Sequence, residues 1–80
     1  MLIAEEILLT ANRAKYLQNQ RAMDILMSTG ENILAEASPD RWWGIGFRLG
    51  HPNANNKHEW QGKNAFGNIL MKLREEFAAS

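Results

Sequence analysis

Across residues 2–27 there is neither glycine nor proline, and good helix formers dominate, a run that predicts one long helix stopped by Gly30. Two apolar stripes lie along it. Ile3, Ile7, Ala11, Ala14, Leu17 and Ile25 recur at helical spacing and predict a core-facing stripe interrupted by Arg21, while Leu2, Leu9, Tyr16, Met23 and Met27 form a second stripe nearly opposite. A helix apolar on two sides normally sits between two layers of structure. No Ser, Thr, Asp or Asn stands where an N-cap would open this one, and both features predict a further element upstream.

Beyond Gly30, residues 32–37 fit a helical turn or a strand, and Pro39 breaks the pattern. The run Trp42-Trp43-Gly44-Ile45-Gly46-Phe47 is aromatic and apolar with two glycines, which suits a buried strand or extended segment closely approached by backbone or ligand. A loop over residues 49–57 follows. Phe66, Ile69, Leu70, Leu73 and Phe77 then fall at helical intervals, with Asn64 placed to cap the start and Lys72 and Arg74 toward the end. The predicted fold is mainly α: a long N-terminal helix, a short extended Trp-Gly segment and a C-terminal amphipathic helix, with minor β structure near residues 33–47.

Composition narrows the function classes. The chain has 80 residues, 45% of them apolar, which predicts a soluble globular protein of one domain at most. A chain this short buries only about 60% of the surface its unfolded form exposes, so its stability is marginal without a staple or partner. It has no cysteine, which rules out disulfides and thiolate metal sites and makes the cytoplasm the expected compartment. The apolar start carries Glu5 and Glu6 and lacks a basic opening, so it does not read as a signal peptide, and no apolar run is long enough to span a membrane. Nine basic residues balance nine acidic ones. Nucleic acid would therefore be held at a local site rather than by bulk charge.

Self-sufficient catalytic signatures for phosphate loops, zinc hydrolases and serine hydrolases are absent. His51 and His58, seven residues apart across a loop, are too few to hold a metal and read as solvated. The informative stretch is Glu36-Ala37-Ser38-Pro39-Asp40-Arg41-Trp42-Trp43-Gly44-Ile45-Gly46. It is followed by Trp60-Gln61-Gly62-Lys63-Asn64-Ala65-Phe66-Gly67 and by Leu70-Met71-x-x-Arg74-Glu75.

These runs resemble the NADAR family's E-A-S-P-x-D-x-x-W-G-I-G, W-x-G-x-N-x-x-G and L-M-x-x-R-E. Upstream, Ala14-Lys15-Tyr16-Leu17-Gln18-Asn19 and Leu26-x-x-Thr29-Gly30 are similar to the family's A-K-F-x-Q-N and L-x-x-T-G. The resemblance covers about residues 14–75 and corresponds to the C-terminal half of the family domain, so the chain is expected to be a single partial domain over residues 1–80. Between Pro39 and Asp40 it is one residue shorter than the family's run. The family's opening strands, and a helix bearing a Glu-His pair and a downstream lysine, have no counterpart in it.

The resemblance implies an N-glycosidase acting on phosphoribosylated intermediates of riboflavin synthesis or on ADP-ribosylated guanine, including guanine in DNA, with no metal and no cofactor. Breaking a ribose-to-nitrogen bond builds positive charge at the anomeric carbon. A carboxylate can stabilise that charge or activate water while an aromatic plane holds the base. On this reading Asp40 and Glu36 are the catalytic candidates, and Trp43, Gly44, Trp60, Lys63 and Asn64 the substrate-binding ones. Ordinary roles stand beside these. Asp40 suits a turn or cap, Trp42 and Trp43 suit core anchors, Trp60 suits a loop cover, and Lys15 suits a solvated face. Asn64 suits an N-cap, with residues 62–64 a phosphate seat at the helix start. The alternative function is a noncatalytic interaction module that docks on or completes a full-length relative, with a second copy or a companion N-terminal half as partner. A nucleic-acid-binding helical module has only scattered Arg and Lys in its favour.

Overall fold

The computed structural model describes residues 2–80, with side chains from Ala4 onward. It is mainly helical, as the periodicity predicts. The elements are α1 (Leu2–Gln18), α2 (Gln20–Ser28), two short 3-10 helices (Pro52–Asn55 and Lys57–Glu59) and α3 (Ala65–Ala79). No strand forms among the described residues. No helix among them is long and apolar enough to cross a membrane. The chain divides into two compact units. One runs to Ile33 and resumes over Ile69–Ser80; the other is Leu34–Asn68.

The single long helix expected over residues 2–27 is interrupted at Asn19. Its backbone leaves helical geometry (φ −134°, ψ 96°), and its side-chain oxygen accepts the Ala22 N–H at 3.0 Å, so it caps α2 instead of continuing α1. Gly30 lies just past the end of α2 with φ +60°, a left-handed conformation that glycine adopts without strain.

In the helical unit, the stripe expected to face the core faces outward. Ile7 is 65% exposed, Leu17 65% and Ile25 60%, and Ala11 and Ala14 are exposed too. The opposite stripe packs: Leu9, Tyr16, Met23 and Met27 are half-buried, while Leu2 and Ile3 have side chains outside the described residues. The reason is area. Tyr16, Met23 and Met27 offer far more burial than a stripe centred on two alanines, so the larger side chains take the packed side.

Tyr16 meets Phe77 of α3 edge-on, ring centroids 6.3 Å apart. Leu26, Ile69 and Leu73 are the buried apolar residues of this unit. Asn12 is buried with them, its amide satisfied by the Leu8 carbonyl one turn back at 2.8 Å.

Arg13 of α1 grips Glu76 of α3 through two hydrogen bonds of 2.7 and 2.9 Å. The bond from Arg13 holds the Glu76 carboxyl below the ordinary carboxylate range, and the bond to Glu76 holds the Arg13 guanidinium above its own ordinary value. A depressed carboxyl contributes stability that is present above its unfolded pKa and lost as pH falls through the folded one. Acid that protonates Glu76 therefore removes this link, while the raised guanidinium keeps its charge until strongly alkaline pH. The pair is solvent-exposed, so the effect is small. Glu76→Gln is expected to lower the melting temperature slightly at neutral pH and low salt, with the difference from wild type closing in acid and in high salt.

Candidate functional site

The second unit is built from close backbone approach. The Ile45 N–H donates to the Glu36 carbonyl at 3.0 Å and the Gly46 N–H to the Ser38 carbonyl at 2.9 Å, which lays residues 36–38 along residues 45–46 without enough pairing to make a strand. Gln61 and Gly62 both donate to the Ile45 carbonyl, at 3.0 and 2.9 Å. Ile45, 1% exposed, is the centre of this unit.

Contacts this tight exclude side chains. A Cβ at Gly62 would collide with the Gly44 carbonyl oxygen, one at Gly67 with the Leu34 carbonyl oxygen and the Asn64 amide, and one at Gly44 would come within 2.8 Å of Ser38 Cβ. The expectation of close backbone approach at the Trp-Gly run is met, with backbone as the neighbour.

The start of α3 is closed by the turn that carries the tryptophans. Lys63, Asn64, Ala65 and Phe66 donate their N–H groups to the carbonyls of Arg41, Gly44, Trp42 and Trp43 at 2.8 to 3.0 Å. With Gln61 and Gly62 already bonded to Ile45, every backbone donor from 61 to 66 is occupied. The phosphate seat expected at residues 62–64 has no free amide to offer.

Asn64 stands at the N-cap position, but its side chain does other work. It is 4% exposed, with φ +53°; its Oδ1 accepts the Glu36 N–H at 2.8 Å and its Nδ2 donates to the Leu34 carbonyl at 2.9 Å. It therefore stitches residues 34–36 to the start of α3. That pairing is invisible in local sequence, because the partners lie 28 and 30 residues away.

Asp40 heads the tryptophan turn. Its Oδ1 accepts from the Trp42 and Trp43 N–H groups at 2.8 and 2.7 Å, its N–H donates to Ser38 Oγ at 3.2 Å, and its carbonyl accepts from Gly44 at 3.1 Å. The one-residue shortening before Asp40 thus leaves a well-formed capped turn. Asp40 is exposed, so a carboxylate of set orientation faces solvent beside two half-buried indoles. Glu36 is exposed too, and its side chain makes no hydrogen bond among the described residues. No hydrogen bond links the two carboxylates.

Trp42, expected as a core anchor, is half-buried with the Lys63 ammonium 4.8 Å from its ring centroid, and its buried indole N–H has no hydrogen-bond partner among the described residues. Arg41 beside it donates to Gln61 Oε1 at 3.1 Å. Nothing in the residue order predicts either contact. Trp60 is a loop cover: its indole N–H donates to the Ala54 carbonyl at 2.9 Å and pins the first 3-10 helix. His51 stacks on Phe47, centroids 4.4 Å apart, and its Nδ1 accepts the Asn53 N–H, while His58 is exposed. Lys15 is exposed in the helical unit, its ammonium 5.3 Å from the Tyr16 ring.

The second unit thus brings together Asp40, Trp42, Trp43, Gly44, Lys63 and Asn64. Of these, Gly44 and Asn64 are spent on the scaffold, and Asp40, the two indoles and Lys63 offer surface. Among the described residues no group of three His, Cys, Asp or Glu is placed to hold a metal.

The chain is 42% identical over 72 residues to N-glycosidase R617 of Acanthamoeba polyphaga mimivirus, an alignment covering 89% of this chain and 42% of that protein. It is 34% identical over 74 residues to Protein irg-1 of Caenorhabditis elegans, covering 91% of this chain and 35% of that protein. The chain thus spans less than half the length of either relative. No solved structure matches it. The NADAR domain matches residues 2–78, nearly the whole chain and both units, and the chain belongs to the NADAR family.

Proposed function

We propose that this chain supplies part of an N-glycosidase site that hydrolyses a ribose-to-base N-glycosidic bond, with Asp40 as the carboxylate at the anomeric carbon. The observation that carries this reading is the Asp40 carboxylate itself, exposed yet oriented by the Trp42 and Trp43 N–H groups. Such a group is preorganised: one oxygen is anchored, and the other is left to face positive charge as it develops. In the reaction the bond from the anomeric carbon to the base nitrogen breaks and its electron pair leaves with the base. Water adds to the anomeric carbon and gives up a proton, and the departing nitrogen gains one.

The indole of Trp43 is suited to stacking on the base, and Trp60 to rimming it. The Lys63 side chain is the cation suited to a substrate phosphate, in place of the helix amides already bonded. Glu36 is the second carboxylate available to the same chemistry. Phosphoribosylated aminopyrimidines of riboflavin synthesis and ADP-ribosylated guanine, free or in DNA, are the substrates proposed, and the cytoplasm the compartment. The relative named as an N-glycosidase supports the bond class.

A second reading has its own observation. Ile7, Leu17 and Ile25 form an outward apolar face on the helical unit, which suits an interaction module that docks on or completes a longer family member. Hydrolysis of the two substrates by the chain alone, and mixed with an N-terminal half of a family domain, separates the readings. Release by the chain alone makes it an enzyme, and release only in the mixture makes it one part of a split site. No release in either condition from a folded chain supports the docking module.

A further inference from the structure

The outward face of α1 has an internal order that the proposed hydrolysis does not use. Ile7 and Leu17 stand toward its two ends, each 65% exposed, and Thr10, Ala11 and Ala14 are exposed between them. Ile7, Ala11, Ala14 and Leu17 follow one another at steps of four, three and three, so they share one stripe of the helix. At the Ile7 end Glu6, Ile7, Thr10 and Ala11 line an open depression of about 480 Å³.

Along this stripe the sizes run large, small, small, large, nearly the same order from either end. A two-fold interface needs a patch of that kind, because whatever residue one copy brings to its partner it must also receive. Laid antiparallel against a second copy, the stripe sets Ile7 opposite Leu17 and sets Thr10 and Ala11 opposite Ala14, and it does so on both sides of the axis. The small residues then fall at the middle, where the two helices approach most closely, and the large ones close the ends. Leu17 of each copy enters the depression beside Ile7 of the other. A dissimilar partner would give no reason for a pattern that is its own complement.

Charge favours the same orientation. Glu6 is exposed near the start of α1 and Lys15 near its end, and neither has an ion-pair partner among the described residues. Parallel copies would set like charge beside like, whereas antiparallel copies bring the acidic end of each helix to the basic end of the other. The helix dipoles then oppose each other as well. Arg13, which borders the stripe, is already held by Glu76, so it brings no unpaired charge to the crossing. We propose that this chain self-associates, two copies pairing antiparallel through Ile7, Thr10, Ala11, Ala14 and Leu17 of α1. The proposal rests on the outward face of the docking reading and names its occupant. Pairing covers apolar surface that a monomer leaves in water, so it stabilises the fold by mass action.

The test is sedimentation of the full chain over a dilution series, with cysteine cross-linking to read the register. Wild type is expected to be a dimer that dissociates on dilution, with a melting temperature that rises with chain concentration. Ala14→Glu puts bulk and like charge where the helices cross and is expected to weaken association about tenfold or more. The chain has no cysteine, so an introduced thiol is the sole one in each copy. Ile7→Cys mixed with Leu17→Cys under a mild oxidant is expected to cross-link, and neither variant alone is, because like positions stand roughly 15 Å apart along the antiparallel pair. Should Ala14→Glu fail to fold, the cross-linking decides. Association unchanged in a folded Ala14→Glu chain, or cross-links as strong in either single variant as in the mixture, would overturn the proposal. A monomer at every concentration would overturn it too: one that binds an N-terminal half of a family domain through this face keeps the docking reading, and one that binds no such half removes both.

Discussion

Replacing Gly62 by alanine is expected to unfold the second unit. The added Cβ would meet the Gly44 carbonyl oxygen and stand 2.7 and 2.8 Å from the Ile45 carbonyl carbon and the Gly46 nitrogen. All of these are backbone atoms, and no side-chain rotation makes room. Relief requires residues 44–46 and 61–62 to part, which breaks the bonds from Gln61 and Gly62 to the Ile45 carbonyl and exposes Ile45. Overpacking alone costs about 1–3 kcal/mol, and two lost hydrogen bonds add about 1 kcal/mol each. A chain of this size holds only about 5–10 kcal/mol in all. Circular dichroism and tryptophan fluorescence should therefore report a large drop in melting temperature or no cooperative transition. Gly30→Ala is the contrast, because nothing lies within 4 Å of its Cβ position and only the φ of +60° resists the change. It is expected to cost about 1 kcal/mol.

Asn64→Ala is the second large effect. It removes both side-chain bonds at once and leaves the Glu36 N–H and the Leu34 carbonyl without their partner, at about 1–3 kcal/mol for each group that stays dry. A loss of about 3 kcal/mol is expected from denaturant unfolding. Two further variants separate the causes. Asn64→Asp keeps an acceptor for Glu36 but turns a carboxylate oxygen toward the Leu34 carbonyl, so it should be nearly as damaging. Asn64→Gly relieves the left-handed backbone (φ +53°) yet still loses both bonds, and it should recover only part of the deficit. Recovery to wild-type stability in Asn64→Gly would mean that the backbone conformation, and not the stitch to residues 34–36, is what Asn64 supplies.

These two residues show what local sequence can and cannot carry. The 3.6-residue period of Phe66, Ile69, Leu73 and Phe77 depends only on neighbours along the chain, so α3 was legible, and so was the helical stop at Gly30. The break at Asn19 was not, because an asparagine among helix formers reads as helix until its side chain caps Ala22. Which stripe of the first helix packs was equally hidden, since periodicity marks two faces and tertiary area chooses between them. Asn64 was placed correctly at the head of α3, but its bonds reach residues 34 and 36. The family's runs are legible in the residue order, and the structure shows much of their content to be scaffold: Gly44 of W-G-I-G and Gly62 and Gly67 of W-x-G-x-N-x-x-G sit where backbone passes close by, and Asn64 bonds residues 34 and 36. Asp40 is among the residues those runs leave exposed, and its two readings, cap and catalyst, use different oxygens of one carboxylate.

Asp40→Asn separates those two readings. The amide oxygen can still accept from the Trp42 and Trp43 N–H groups, so the turn and the melting temperature should survive, while the negative charge is gone. Assayed for base release under the conditions in which the wild-type chain is active, alone or with its companion half, this variant should lose about a hundredfold or more, the scale of one charge-stabilising group. Full activity in a folded Asp40→Asn chain would contradict the account and leave Asp40 as the cap of a turn.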